Sequence, residues 1–319
     1  MIDQPLLLDA LQKRAEKLAG RRQFFRKTSG MAVGVAGGLV LGACGGGGGS
    51  AVAQAMAPTD PEILNFALNL EYLEAQFYLY AVTGAGLADN MKTGVGTQGA
   101  VIGGTQVPFA NTLVRQYARE IAADEAAHVA FLRAALGSSA VAHPAIDIGG
   151  TDPNGAFSVA ARAAGLVGPG VAFNPYADDD SFLLGAYIFE DVGVTAYKGA
   201  SPLITNKTFL EAAAGILAVE AYHAGLVRTV LTARGLAAAA TAISDARDSL
   251  DGSTDVDQGI TVVNDMTNIV PTDANGIAFS RSPSDVLNIV YLNPGAVTQG
   301  GFFPAGVNGS LVMGTSSAA

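Results

Sequence analysis

Four long stretches of the chain place apolar residues three and four positions apart, the spacing of one face of an α-helix. They cover about residues 61–82, 108–136, 179–200 and 206–234, and a glycine or proline follows each of them closely. Four long amphipathic helices that share one core predict an all-α protein built as a four-helix bundle over residues 61–240.

The segments between and after these helices are long. Residues 85–106 are glycine-rich and hold few apolar anchors, which predicts a loop, and the Gly/Pro-rich connection 138–177 has room for short structure of its own. After Glu220 the chain contains no further glutamate, while aspartate, glycine, asparagine and proline are frequent. We predict that residues 241–319 form a mostly irregular extension packed on the bundle, with one short helix at about 284–291.

The first 44 residues predict an export signal. A basic segment precedes an uncharged run from Met31 to Ala43, which is too short to span a bilayer as a helix. Arg21 and Arg22 stand before two phenylalanines and Lys27, a pattern that resembles the twin-arginine export motif. The alternative is an ordinary secretion signal with incidental arginines.

The only cysteine lies at the end of this run. Leu41-Gly42-Ala43-Cys44 resembles a bacterial lipobox, in which Cys44 becomes a lipidated N-terminus and the Gly/Ala-rich segment 45–60 a tether. The alternative is cleavage after Ala53-Gln54-Ala55, which would release a soluble protein. Both alternatives predict a protein outside the cytoplasm, either periplasmic or anchored to the membrane as a lipoprotein.

Composition narrows the chemistry. The chain has 18 Lys and Arg against 28 Asp and Glu, and removal of residues 1–44 changes its formal charge from −10 to −14 because seven basic and three acidic residues are lost. Such a charge argues against nucleic acid as a partner. One cysteine excludes a thiolate metal cluster, and with three histidines any metal site must depend on carboxylates.

Two of the three histidines follow a glutamate by three positions. Glu125 and His128 lie on the second predicted helix, and Glu220 and His223 on the fourth. Residues three apart share one helix face, so each pair can reach the same metal cluster. Dinuclear carboxylate bundles combine two such pairs with one glutamate from each remaining helix.

The remaining two helices carry suitable glutamates. The third contains only Glu190, near its centre, whereas the first contains Glu71 and Glu74. An internal repeat favours Glu71, because placing it on Glu190 also brings Tyr78 onto Tyr197. We therefore predict Glu71 as the ligand and keep Glu74 as an alternative or additional one.

The repeat extends to the second and fourth helices, where it pairs Arg133 with Arg228. We expect both arginines to contact carbonyl groups at helix C-termini. For Tyr78 and Tyr197 we weigh core packing with a satisfied hydroxyl against a role beside the ligands. We interpret His143, in a loop before a proline, as an ordinary surface residue.

These motifs give the chain a family resemblance. It resembles the ferritin-like superfamily, alongside rubrerythrins and bacterioferritins, and more narrowly the desiccation-related, second ferritin-like domain family. The narrower likeness rests on Leu64–Ala75 and on the tail segments Asn268–Thr272 and Gly300–Pro304. It covers about residues 60–315.

Four carboxylates and two imidazoles suit two Fe or Mn ions and leave coordination positions open. The resemblance implies ferroxidase, peroxidase or catalase-like activity on a small oxidant or metal ion, in protection of the cell envelope. It also implies that Asp124 accepts a hydrogen bond from the His223 ring. The long loops and the tail argue against a ferritin-type cage and leave other oligomers open. The alternative function is a non-catalytic envelope protein with a structural or vestigial metal site.

Overall fold

The computed structural model describes residues 57–263 and 265–315. The export residues Arg21 and Arg22, the predicted lipidation site Cys44 and the linker up to residue 56 lie outside the described residues. The predictions made for them therefore stay predictions.

Helices form most of the described chain. Their bounds are α1 Asp60–Thr83, α2 Thr112–Leu136, α3 Ala156–Ala163, α4 Asp179–Ala200, α5 Lys207–Ala233, α6 Ala237–Asp248 and α7 Pro283–Val290. Two-residue strands complete the fold: β1 Val101–Ile102 pairs in parallel with β2 Ile146–Asp147, and β3 Val262–Val263 pairs antiparallel with β4 Met266–Thr267.

Four of the helices form a bundle, which confirms the predicted all-α fold. The helix α1 packs along α2, and α4 packs along α5. Contacts between α1 and α4 and between α2 and α5 join the two pairs. The buried faces of all four helices meet in one hydrophobic core.

Polar side chains define where the bundle helices begin. Glu62 accepts hydrogen bonds from the backbone N–H and the hydroxyl of Thr59, the residue that caps α1. The side chain of Asn111 accepts the Leu113 N–H at 2.9 Å, so α2 begins at Thr112 rather than at the predicted Pro108.

The long loops pair with each other and pack against the bundle. The parallel β1–β2 pair links the α1–α2 connection to the α2–α4 connection. The second connection also contains α3, whose Phe157 is fully buried against Phe77 of α1 and Phe189 of α4. Phe302 of the tail joins this aromatic cluster with edge-on contacts to Phe157 and Phe189.

Buried ion pairs fasten the C-terminal extension to the bundle. Arg247 of α6 contacts Asp191 of α4 at 3.1 Å and Asp257 of the tail at 2.8 Å. Arg281 contacts Asp257 at 2.9 Å. Burial by itself would raise the pKa of Asp257, but the two arginine charges outweigh burial and hold that pKa below its usual value. The tail is therefore bound by paired charges as well as by aromatic packing.

Besides the start of α2, the structure corrects four predictions outside the metal ligands. The boundary at residue 240 falls inside α6, which the sequence analysis did not separate from the irregular tail. Neither Arg133 nor Arg228 contacts the C-terminal carbonyls of a long helix. Arg133 donates to the Thr93 carbonyl in a loop, and Arg228 pairs with Asp191 at 2.6 Å. His143 is fully buried, because its ring packs against Tyr72 and Gln76 lies 3.0 Å from its Nε2.

Among the described residues, α5 is long and apolar enough to cross a membrane by length and composition alone. In this fold it is a bundle helix: it packs along α4 and buries Glu220, His223 and Arg228 in the protein interior.

We predict that Asp257→Asn lowers the free energy of unfolding by about 3 kcal/mol, because Arg247 and Arg281 then keep buried charges with fewer partners. Urea unfolding of the full chain measures the effect. The matched control is Asp89→Asn, which removes an exposed pair with Lys92 and should change stability by less than about 1 kcal/mol. Equal losses in both variants would contradict a structural role for the buried network.

Candidate metal centre

The bundle core brings together all six residues predicted as metal ligands. One group that could hold a cation contains Glu71, Glu125, His128 and Glu220, and a second contains Glu190, Glu220 and His223. Within each group the candidate ligand atoms lie within 4.8 Å of one another, and every side chain is buried. Because Glu220 belongs to both groups, the two positions are adjacent.

In the first group, three carboxylates surround the Nδ1 atom of His128. This nitrogen lies 3.1 Å from Glu71 Oε2, 3.4 Å from Glu125 Oε2 and 3.8 Å from Glu220 Oε1. Helices α1, α2 and α5 therefore each contribute a carboxylate to the same point in the core.

In the second group, two carboxylates lie near the Nδ1 atom of His223. This nitrogen is 3.1 Å from Glu125 Oε1 and 3.6 Å from Glu190 Oε2. The carboxylate of Glu125 thus directs one oxygen toward each imidazole. Glu220 belongs to both groups and Glu125 has one oxygen near each imidazole, so both could serve two ions, whereas Glu71 and Glu190 could each serve one.

Two tyrosines cross the centre to the opposite helix. The Tyr78 hydroxyl on α1 donates to Glu190 Oε1 on α4, and the Tyr197 hydroxyl on α4 donates to Glu71 Oε1 on α1. Both hydroxyls are buried. Each tyrosine therefore fixes the carboxylate of its partner helix, so the repeat seen in the sequence becomes a reciprocal pair of contacts around the site.

The two histidines have different outer partners. His223 Nε2 lies 3.1 Å from Asp124 Oδ2, as the family resemblance implied. Val219 occupies the corresponding position in the repeat, so His128 lacks the equivalent carboxylate. An imidazole whose outer nitrogen donates to a carboxylate presents its other nitrogen unprotonated, which suits a metal ligand.

Glu74 is buried near the centre but belongs to neither group. In the repeat it corresponds to Gly193, a residue that the sequence analysis did not single out. A Cβ atom at Gly193 would lie 2.2 Å from Glu220 Oε2, so only glycine lets this carboxylate reach its position. The alignment of Glu74 with a glycine in the repeat was the sequence feature that could have indicated the close approach at Gly193.

The donor set fits metal ions. Within the described part of the chain, several buried atoms at the centre have no hydrogen-bond partner: Glu125 Oε1, Glu190 Oε2, both carboxylate oxygens of Glu220, and His223 Nδ1. Buried polar groups without partners are costly, and ionised carboxylates can only accept. Cations at the two positions would satisfy these atoms together.

The electrostatics lead to the same conclusion. Burial, reinforced by repulsion from neighbouring carboxylates, raises the pKa of Glu125 and of Glu220 well above the usual value. Burial also raises the pKa of Glu190 to about 8, although the Tyr78 hydrogen bond opposes it. Burial lowers the pKa of His223 against the opposing effect of Asp124, which favours its neutral form. Without cations this centre retains protons on its carboxylates.

Comparison with known proteins agrees with this geometry. A family model described as a ferritin-like domain matches residues 59–233, the segment that contains all four bundle helices. The chain belongs to the ferritin-like domain family. The predicted ferritin-like and desiccation-related relationship is thereby confirmed.

Two relatives extend beyond the bundle. The chain is 27% identical over 269 residues to a protein named ferritin-like catalase Nec2 from Nesocodon mauritianus, covering 79% of this chain and 84% of the relative. It is 28% identical over 250 residues to the desiccation-related protein PCC13-62 from Craterostigma plantagineum, covering 72% and 76%. No solved structure matches the chain significantly.

The raised pKa of Glu190 predicts how the metal-free protein responds to pH. Between pH 6.5 and 8 the folded protein holds a proton on Glu190 that the unfolded chain, with a pKa near 4.5, has lost. Stability therefore falls as pH rises through this interval, by an amount on the order of 1 kcal/mol. Glu190→Gln cannot titrate and should show a shallower decline in melting temperature.

The matched control for this measurement is Glu211→Gln on the exposed surface of α5, which should keep the wild-type slope. Saturating Mn(II) should flatten the wild-type decline, because bound ions replace the protons. Identical slopes in wild type and Glu190→Gln would contradict the assignment.

Proposed function

We propose that the protein binds two Fe or Mn ions and uses them in redox turnover of hydrogen peroxide. The observation that carries the proposal is the pair of adjacent ligand groups sharing Glu220, with buried carboxylate atoms that lack partners. Two redox-active ions held by these groups would supply two-electron exchange with peroxide. The relative named a ferritin-like catalase supports peroxide over dioxygen or Fe(II) as substrate.

The residues of the chain have distinct roles in this proposal. Glu220 and Glu125 would contribute oxygens to both ions, and His128 and His223 would each contribute one imidazole nitrogen. Tyr78 and Tyr197 hold the outer carboxylates in place. Disproportionation of two peroxide molecules to two waters and dioxygen balances atoms and electrons, so it needs no other reductant.

The test is metal analysis combined with turnover. We expect about two Fe or Mn ions per chain and peroxide consumption with release of dioxygen. The double variant Glu125→Ala/Glu220→Ala should lose both metal and turnover, because it removes the two carboxylates that could serve both ions. The exposed Glu120→Gln on α2 is the control that should retain both. Metal without turnover of peroxide or Fe(II) would favour the alternative of a structural metal site, and a chain that cannot be loaded would refute the site.

Export is a second part of the proposal. Arg21 and Arg22 support export by the twin-arginine pathway, and Cys44 supports lipid attachment outside the cytoplasm. We expect Arg21→Lys/Arg22→Lys to trap the precursor in the cytoplasm and Cys44→Ser to move the exported protein from the membrane to the soluble fraction. Cell fractionation with immunoblotting measures both effects. An unchanged distribution of Cys44→Ser would contradict lipidation and favour cleavage near Ala55.

A further inference from the structure

A cavity lies between α1, α4 and the C-terminal extension, beside the carboxylate cluster. The space open to the centre of a water-sized molecule is about 20 Å³, enough for a molecule of one or two heavy atoms. Every residue that lines it is buried, and Glu74 is the only one with a polar side chain. The other walls are formed mainly by Leu73, Val192, Ile289 and Phe302.

The cavity lies next to the metal centre, although none of the six predicted ligands lines it. Gly193 lines it, and the space where a side chain of residue 193 would begin is occupied by Glu220 Oε2. The backbone of one glycine therefore separates the cavity from a carboxylate that could serve two ions. Glu74 lines the same cavity one helical turn from Glu71.

Glu74 has no structural partner that accounts for its burial. It is 6% exposed, yet within residues 57–263 and 265–315 no group donates a hydrogen bond to it. A buried carboxylate without a donor costs stability, so packing alone does not explain it. The pseudo-symmetric position holds a glycine, so the fold does not require a carboxylate here either.

The C-terminal extension closes this cavity. Gly301 adopts φ 48°, and a Cβ atom there would lie 2.6 Å from the Val290 carbonyl oxygen, so glycine allows the tail to approach α7 closely. The Phe302 N–H then donates to that same oxygen at 2.9 Å, and the Phe302 ring packs into the aromatic cluster as part of the cavity wall.

The lining selects among small molecules. A hydrated divalent cation needs several oxygen ligands, which apolar walls and one carboxylate do not offer. Dioxygen donates no hydrogen bond and would gain nothing from Glu74. Hydrogen peroxide has two heavy atoms and two O–H donors, so it fits the volume and can donate to Glu74 in the same way as a water molecule, which it would displace.

We propose that this cavity is the binding site for hydrogen peroxide, with Glu74 accepting its hydrogen bond and Phe302 of the C-terminal extension limiting the size of the hydroperoxide admitted. The inference rests on the proposed function, since it assigns the substrate site of the same centre. It gives Glu74 a role in substrate binding rather than in metal binding, and it gives the tail a part in specificity.

The first test replaces Glu74 in the metal-loaded full-length protein. Loss of the hydrogen bond to Glu74 predicts a decrease in kcat/KM for hydrogen peroxide of about twofold to tenfold in Glu74→Leu, carried mainly by KM. Metal content should stay at the wild-type value. The matched control is Glu120→Gln, an exposed glutamate on α2, which should keep wild-type kinetics.

A second measurement does not depend on turnover. Because Glu74→Leu removes a buried carboxylate that lacks a donor, the metal-free variant should melt at a higher temperature than the metal-free wild type. A residue that served only to hold the helices together would produce the opposite shift. The combination of higher melting temperature and weaker peroxide binding identifies a residue retained for function.

The third variant examines the tail. Phe302→Leu enlarges the cavity, so with ascorbate supplied as the two-electron donor, kcat/KM for reduction of tert-butyl hydroperoxide to tert-butanol and water should rise relative to kcat/KM for hydrogen peroxide under the same conditions. An unchanged ratio would overturn the role of Phe302 in limiting substrate size.

The remaining outcomes separate this inference from the function on which it rests. Wild-type turnover that persists unchanged in Glu74→Leu would overturn the substrate site and leave the proposed function intact. Loss of metal from Glu74→Leu would overturn it as well, because Glu74 would then be a ligand. A metal-loaded wild type that does not consume hydrogen peroxide would overturn both proposals.

Discussion

Mutual repulsion among buried carboxylates is the constraint on which the rest of this structure depends. Glu71, Glu74, Glu125, Glu190 and Glu220 are all buried in the core of one bundle. Their number exceeds what two imidazoles and two tyrosine hydroxyls can compensate, so several acceptor atoms remain without partners. An arrangement this costly persists when a ligand present in the working protein offsets it, and two divalent cations would offset the charges of four of these five carboxylates. The same repulsion explains why the metal-free protein should lose stability as its carboxylates ionise.

A second set of buried charges shows the contrast. In the C-terminal extension Arg247 and Arg281 are matched with aspartates at short distances, and the resulting network locks the tail to α4 and α6. There the charges are compensated within the chain, so they serve structure. At the metal centre the carboxylates outnumber the donor groups of the chain that could pair with them, so they are suited to bind cations. Charge balance therefore separates the structural cluster from the functional one, although both are equally buried.

The internal repeat produces a nearly symmetric centre with informative departures from symmetry. Glu190 and Glu71 each accept a hydrogen bond from a tyrosine on the opposite helix, Tyr78 and Tyr197 respectively. Asp124 contacts His223, and the repeat offers His128 no such aspartate. Glu74 corresponds in the repeat to Gly193, so the two metal positions differ in their surroundings. Glu74 and Gly193 both line the cavity, so its two related walls differ in chemistry.

The sequence by itself determined the four bundle helices, the family and the six side chains that meet at the centre, because helical periodicity and the spacing of Glu and His are local properties that survive into the fold. It did not determine the burial of His143, the helix α6 or the partners of Arg133 and Arg228, since these depend on contacts between residues far apart in the chain. Only the tertiary structure decided that Gly193 leaves room for Glu220, that Glu74 lines a cavity rather than joining either ligand group, and that Phe302 closes it. Those outcomes depend on how α5 packs on α4 and on how the tail packs across α1 and α4, which no local pattern encodes.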